Sequence, residues 1–289
     1  MNYRHQFHAG NFADVWKHCL LIPLIRGMQR KDKGFLFLDT HAGRGAYDLS
    51  AAARGDSLER TPEHPDGFGR LSAAPNLPGL VSEYVSLVKE FNWARGGAGT
   101  EVRYYPGSPW ITQKLLRDQD RLALCELHPE ENSALKAEFA QERGVSVQTL
   151  DGYTAIRAML PPLEKRAMVL IDPSFEEKDE FDRIVSAVTE ALRRMPAVTI
   201  AVWYPLTQRA GVDRFFDQLL LTNPPPCFTA ELMVAGEDSS LKMKGCGLLV
   251  LNPPWQIERE FAPAVEALPG LLAQGTGGGG RLVWLVREK

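Results

Sequence analysis

The chain has 289 residues, 44% of them hydrophobic and 24% charged, with a formal net charge of −3. This profile excludes a disordered chain and a nonspecific polycation, and the length suits one large α/β domain with an insertion or two small domains. No apolar run reaches the ~20 residues of a membrane helix, and residues 1–8 lack a signal-peptide core, so a cytoplasmic location without membrane association is expected.

The first 33 residues carry six Lys/Arg against two Asp. A local basic patch can neutralise phosphates even on an acidic protein, although a solvated helix face has the same composition. Tyr3, His5, His8, Lys17 and His18 crowd this stretch beside aromatics and suggest a loop folded over a pocket. Asp14, or Asn11 before it, is positioned to cap a helix through Trp16, Leu20, Leu21 and Leu24, with a kink expected near Pro23.

Phe35-Leu-Phe-Leu-Asp39 reads as a strand buried on both faces and closed by an acid. Gly43 and Gly45 then turn the backbone tightly. A nicotinamide fingerprint would need a third glycine where Asp48 stands, and the Gly-Lys-Ser/Thr of a P-loop is absent. An acid and two glycines suit a ligand with a cationic amino-acid end and no phosphate, such as S-adenosylmethionine (SAM).

Residues 48–100 are rich in proline and glycine and offer one amphipathic helix, with Leu80, Tyr84, Leu87, Val88 and Phe91 on a stripe. They are read as a small inserted helical subdomain. The chain thus divides into 1–47 (pocket segment and first strand), 48–100 (insertion) and 101–289 (remainder of the domain). Residues 103–109 read as a turn into a helix over 110–116. Strands are predicted at 121–126, 145–150, 167–171 and 198–203, then at 228–234, 247–251 and 281–286. Intervening helices include 132–141, 155–159 and 181–193, and Gly277–Gly280 reads as a turn. The alternation predicts a doubly wound, mostly parallel α/β sheet.

Right-handed crossovers would bring the ends of the first four strands to one rim. Asp39, Glu126, Asp151 and Asp172 all lie there. Glu126 suits a ribose diol, Asp151 with Gly152 an adenine edge, and Asp39 with the Gly43 turn a methionine end. Asp151 would equally serve as a helix N-cap.

Asp172-Pro-Ser-Phe175 resembles the Asp-Pro-Pro-Tyr/Phe tetrapeptide of methyltransferases acting on exocyclic amines of bases. Such an amine is a poor nucleophile because its lone pair is delocalised. The Asp172 carboxylate and the Pro173 carbonyl, each accepting an N–H, would free that lone pair. Phe175 would stack on a base drawn out of its helix, worth roughly 1–3 kcal/mol. Asn252-Pro-Pro-Trp255 matches the broader motif more literally, but it falls far beyond the fourth strand, where the catalytic tetrapeptide belongs. The cysteines (Cys19, Cys125, Cys227, Cys246) form no Cys-x-x-Cys pair and are expected to be buried free thiols.

The chain as a whole resembles the bacterial large-subunit ribosomal RNA adenine-N6 methyltransferases of the RlmJ type. Carrying the resemblance are Tyr3-Arg-His-x-Phe-His-Ala-Gly-Asn-x-Ala-Asp-Val-x-Lys-His18, Leu38-Asp-Thr-His-Ala-Gly43, Tyr104-Tyr-Pro-Gly-Ser-Pro109, Glu126-Leu-His-Pro129 and Asp151-Gly152. It implies a Rossmann-like class I SAM-dependent fold. It also implies SAM contacts at His18, His41, Ser108, Glu126, Asp151 and Gly152, and catalysis at Asp172. Lys17 is grouped with the cofactor. Tyr3, with Arg4 beside it, would reach the target adenine or its RNA, and the insertion would help bind RNA. Ser174 and Phe175 stand where the family usually has Pro and Tyr.

The reading is a metal-free, monomeric methyltransferase of adenine N6 in 23S ribosomal RNA, acting on naked or partly assembled RNA. The alternatives are a DNA adenine or cytosine methyltransferase, and a noncatalytic nucleic-acid-binding module on a SAM-binding fold.

Overall fold

The computed structural model of the chain describes residues 5–53, 61–98 and 101–288. Tyr3 and Arg4 lie outside the described residues. A short 3-10 turn, His5–Phe7, precedes helix α1, Phe12–Gln29. Asn11 is its cap: the side chain accepts the amides of Ala13 (3.0 Å) and Asp14 (2.9 Å), two of the donors a helix start leaves unpaired. Pro23 falls inside this one helix, and every residue of α1 except Arg26 and Gln29 is buried.

The elements that follow are β1 (Leu36–Asp39), β2 (Ala46–Asp48), α2 (Leu49–Ala53), α3 (Phe68–Ala73), α4 (Gly79–Ala94), β3 (Tyr104–Pro106), α5 (Ser108–Leu115), β4 (Arg121–Cys125), α6 (Pro129–Glu138) and β5 (Val145–Gln148). The second half comprises α7 (Gly152–Met159), β6 (Ala167–Ile171), α8 (Glu180–Arg194), β7 (Thr199–Leu206), α9 (Arg209–Leu221), β8 (Cys227–Met233), β9 (Gly245–Leu251), α10 (Ile257–Leu271) and β10 (Gly279–Val286).

One sheet runs β10-β8-β9-β7-β6-β1-β4-β5. Strands β5, β4, β1, β6 and β7 are parallel neighbours, while β9 pairs antiparallel with both β7 and β8, and β10 antiparallel with β8. This is the doubly wound, mostly parallel α/β sheet expected. The chain winds outward from β1 through β4 to β5, then returns to place β6 on the other side of β1. The crevice between β1 and β6 is therefore the topological switch point, where ligands of open α/β sheets bind.

The alternation of β1 shows why its apolar run is continuous. Phe35 and Phe37 join the core with α1, whereas Leu36 and Leu38 join the core on the opposite face with α7 and α8. Asp39 continues the α1 side. All four cysteines are buried and free. Among the described residues no helix is long and apolar enough to cross a membrane.

Three features differ from expectation. Residues 104–106 form a strand rather than a turn, pairing with β2 so that Tyr47 lies opposite Tyr105. This ladder joins the chain on either side of residues 49–103; strands of three residues carry too little periodicity to read. Gly279 and Gly280 belong to β10, not to a turn. A Cβ on Gly280 would fall 2.0 Å from the Val265 carbonyl oxygen, so this glycine allows α10 to approach the strand. Finally, the positive charge of residues 5–33 does not form one face. Lys17 is buried, Arg26 and Arg30 pair with Glu83 and Glu260, and residues 31–33 are exposed beyond the far end of α1.

The described part of the insertion is helical, and its apolar side chains Phe68, Leu71, Val81, Tyr84, Val85 and Val88 belong to the same core as Trp16 and Leu20 of α1.

Gly152 is fixed by contact: a Cβ there would fall 2.2 Å from the Thr40 carbonyl oxygen, whereas Gly211 in α9 has nothing within 4 Å. Gly152→Ala is expected to cost about 1–3 kcal/mol through forced displacement of backbone. Gly211→Ala should leave stability unchanged or raise it by up to about 1 kcal/mol. Urea unfolding of the two variants tests the contrast.

Candidate functional site

The sheet brings the predicted acids to one rim. Asp39 ends β1, Glu126 follows β4, Asp151 leads into α7, and Asp172 follows β6. The pairing of β1 with β4 on one side and β6 on the other sets Asp39 between Glu126 and Asp172.

Asp39 is buried. Its carboxylate accepts from Ser108 Oγ at 2.7 Å and from the His41 amide at 3.2 Å. Burial pushes its pKa up to about 7, with the nearby Asp172 adding to the rise and the Ser108 bond opposing it. Glu126 faces the glycine turn: Oε2 accepts the Gly43 amide at 2.9 Å and Oε1 the His128 amide at 2.7 Å. Burial raises its pKa as well, against the pull of those two amides. Gly43 is in the left-handed region, φ +59°, which favours glycine.

Asp151 caps α7, accepting from the Thr154 amide (2.8 Å) and hydroxyl (2.9 Å) through Oδ2. Its Oδ1 lies 3.5 Å from Arg183. Capping thus engages one oxygen and leaves the other beside a cation, and Gly152 seats the start of the helix on Thr40. The His41 ring meets the Tyr153 ring edge-on at 5.3 Å, and burial lowers its pKa to about 4.

His18 lies under the opposite wall, its Nδ1 3.1 Å from Tyr105 Oη, which is 2.6 Å from Tyr84 Oη. Burial lowers its pKa to about 3, so the imidazole is neutral. His18 Nε2 is buried and has no hydrogen-bond partner among the described residues.

Asp172 is anchored by Lys17, whose Nζ lies 2.5 Å from Asp172 Oδ2 and 2.9 Å from Asp14 Oδ1. Two of the three donors of Lys17, a residue expected at the cofactor, are thus committed to carboxylates. Burial works against its charge, but Asp14 and Asp172 outweigh it and hold the ammonium well above the ordinary lysine range. Asp14 is held well below the carboxylate range: burial opposes this, and Lys17 and His5 overcome it. From the sequence alone Asp14 reads only as a helix cap. Its spacing of three residues from Lys17 on a wholly buried helix was the available signal. Pro173 is buried, and Phe175 adopts φ +53°, a left-handed conformation costing of order 1–3 kcal/mol for a non-glycine residue. Its ring packs edge-on against Phe181 (5.1 Å) and Trp203 (5.8 Å).

Asn252 lies elsewhere. β9 runs antiparallel to β7, and Leu251 pairs with Ile200 near the start of β7, so Asn252 emerges on the rim opposite Asp172. Its Nδ2 donates to the carbonyls of Pro196 (2.8 Å) and Val198 (2.9 Å), and its φ is +46°. Pro254 packs on Gly27 of α1. The more literal motif is a structural turn.

The rim is matched to a ligand carrying an ammonium and several hydrogen-bond donors. Burial disfavours the charge of Asp39 and Glu126, and His18 Nε2 is a buried polar atom without a partner among the described residues. SAM, with its ammonium, ribose diol and adenine amine, has that chemistry. Asp39, Glu126, Asp151 and His18 are the residues that would hold it.

A model of the family described as Ribosomal RNA large subunit methyltransferase D, RlmJ, matches residues 32–286. Two curated relatives, from Haemophilus influenzae and Escherichia coli, are both named ribosomal RNA large subunit methyltransferase J. Each is 38% identical over 288 residues, covering 100% of this chain and 100% of the relative. The crystal structure of a Legionella pneumophila protein superposes with a TM-score of 0.84 at 35% identity, over 98% of this chain and 99% of that one.

Asn252→Ala removes both side-chain donors and places alanine in a left-handed conformation. It should destabilise the protein by about 1–3 kcal/mol. Methyl transfer per folded molecule should be unchanged, as measured by unfolding and by a radiolabelled methyl assay side by side.

Proposed function

Since this chain belongs to the RlmJ family of large-subunit ribosomal RNA methyltransferases, we propose that it methylates N6 of an adenine in 23S ribosomal RNA. SAM bound at the rim supplies an electrophilic methyl group. The protein acts as a monomer on naked or partly assembled RNA, with the target base turned out of its helix.

The supporting observation is the position of Asp172 at the switch point, beside β1, with one carboxylate oxygen held by the buried Lys17. Asp172 Oδ1 is then directed to one N–H of the adenine amine and the Pro173 carbonyl to the other. Both acceptors favour a tetrahedral nitrogen whose lone pair points away from the ring. Phe175, braced by Phe181 and Trp203, offers an aromatic surface for the base. Asp39 and Glu126 orient the cofactor, and Asp151 Oδ1 with Gly152 lies at its adenine end. Positioning of this kind accounts for much of the rate gain in a transfer that needs no covalent enzyme intermediate.

Asp172→Ala should lower methyl transfer by about 10²–10³-fold or more while SAM still binds, because Lys17 keeps Asp14 as its partner. Full activity in that variant refutes the assignment. Offered RNA and DNA together with labelled SAM, the wild-type protein should label RNA.

The raised pKa of Asp39 makes cofactor binding depend on pH. Below about 7 the carboxyl is protonated and neutral; above it the carboxylate can face an ammonium. SAM affinity should therefore fall as pH drops through about 7, approaching a tenfold loss per unit. Asp39→Asn should bind more weakly and show a flat profile. Calorimetry across about pH 6–8 gives both readings, and a wild-type affinity independent of pH would exclude Asp39 as the ammonium partner.

A further inference from the structure

Asp14 touches neither the rim nor its acids directly, yet it joins two things the reaction needs. Its Oδ1 accepts from Lys17, which holds Asp172. Its Oδ2 accepts from the Gly10 amide at 3.0 Å and lies 3.1 Å from His5 Nε2. The side chain is 3% exposed, so these contacts are made out of water, where a carboxylate's hydrogen bonds are strong and its misplacement is costly. Nearby, Glu63 binds both His8 (2.9 Å) and Asn11 (2.8 Å), fastening the same segment to the insertion.

We propose that Asp14 is a positioning residue that fixes the Lys17–Asp172 pair and the 5–11 segment in one arrangement, so that Asp172 is held correctly aimed. The argument is geometric. A lysine side chain has four carbons of freedom, and bonding to Asp172 alone leaves the ammonium free to swing with the carboxylate. The second carboxylate, one helical turn away on a rigid and wholly buried helix, fixes the ammonium from behind. Because the other oxygen of Asp14 binds Gly10 and His5, moving either end disturbs the other. This inference rests on the methyltransferase reading above and assigns to that reaction a residue acting through Lys17.

Asp14→Asn keeps shape and removes charge. In that variant kcat for methyl transfer to rRNA should fall about 10–100-fold, as small misplacements of a catalytic group do, while SAM Kd changes less than about threefold. Exchange of the Gly10 amide hydrogen should quicken. Asp120→Asn is the control for lost stability. Asp120 is equally buried, but it holds Arg117 and Phe35 at the opposite rim, so this variant should destabilise without lowering kcat per folded molecule. Should Asp14→Asn fail to fold, Asp14→Asn/Lys17→Met removes both buried charges together and should recover stability but not kcat.

Wild-type kcat in folded Asp14→Asn, a return of kcat in the double variant, or an equal loss in Asp120→Asn would each overturn the proposal. A wild-type protein that methylates no rRNA would defeat the methyltransferase reading instead. Gly10 exchange needs no substrate, and unchanged exchange in Asp14→Asn would still overturn the role given to Asp14.

Discussion

The rest of the structure depends on a single buried cation. Helix α1 is covered along nearly its whole length, so the Lys17 side chain is only 7% exposed. An ammonium in that position is tolerable only between carboxylates, and the fold supplies two: Asp14 from the same helix and Asp172 from the end of β6. Losing one partner of a buried ion pair typically costs about 3–5 kcal/mol, because the remaining charge cannot be hydrated. The packing of α1 across the sheet and the placement of the catalytic candidate are therefore one constraint. Any shift that separated α1 from β6 would leave Lys17 with Asp14 alone and Asp172 without its cation.

The neighbouring acids follow a different logic. Asp39 and Glu126 form no ion pair among the described residues; backbone amides and a serine hydroxyl hold them, and burial raises the pKa of both. The rim thus contains Asp172 locked to Lys17, Asp151 divided between its helix cap and Arg183, and two carboxylates kept energetically unsettled beside them. In the proposed reaction the locked one handles the base and the others meet a cationic cofactor. The same proximity of Asp172 that raises Asp39 ties the two halves of the site electrostatically.

Strands buried on both faces announce themselves as apolar runs, so β1, β4, β6 and β7 were readable within a few residues, and with them the convergence of Asp39, Glu126 and Asp172. The tetrapeptide at Asp172 was readable because its position relative to the fourth strand could be counted. The partners were not. Nothing local ties Lys17 to Asp172, which is 155 residues away, or Tyr105 to His18. Lys17 reads in the sequence as a pocket residue grouped with the cofactor; only burial of the whole helix turns it into a structural cation. Asp151 fitted two roles by residue type, and its two oxygens are in fact divided between the cap and the side facing Arg183. β2 and β3 were missed because their identity lies in pairing with each other rather than in any pattern within either.

The two Asp/Asn-Pro tetrapeptides show how much of a motif's meaning resides in strand direction. Both follow buried apolar strands, and both contain a residue in the left-handed region, Phe175 in one and Asn252 in the other. Asp172 leaves a parallel strand at the carboxyl rim, where the winding opens a crevice and a carboxylate can reach a ligand. Asn252 leaves β9, which runs the other way, and so emerges where the chain has only loop carbonyls to offer. An amide suits that setting, since its N–H donors satisfy carbonyls that a carboxylate would repel. A carboxylate suits the first, since its partner is a lysine ammonium. Residue identity at the head of each tetrapeptide is thus decided by which rim it faces, and the chemistry available to each follows from the sheet before any ligand is considered.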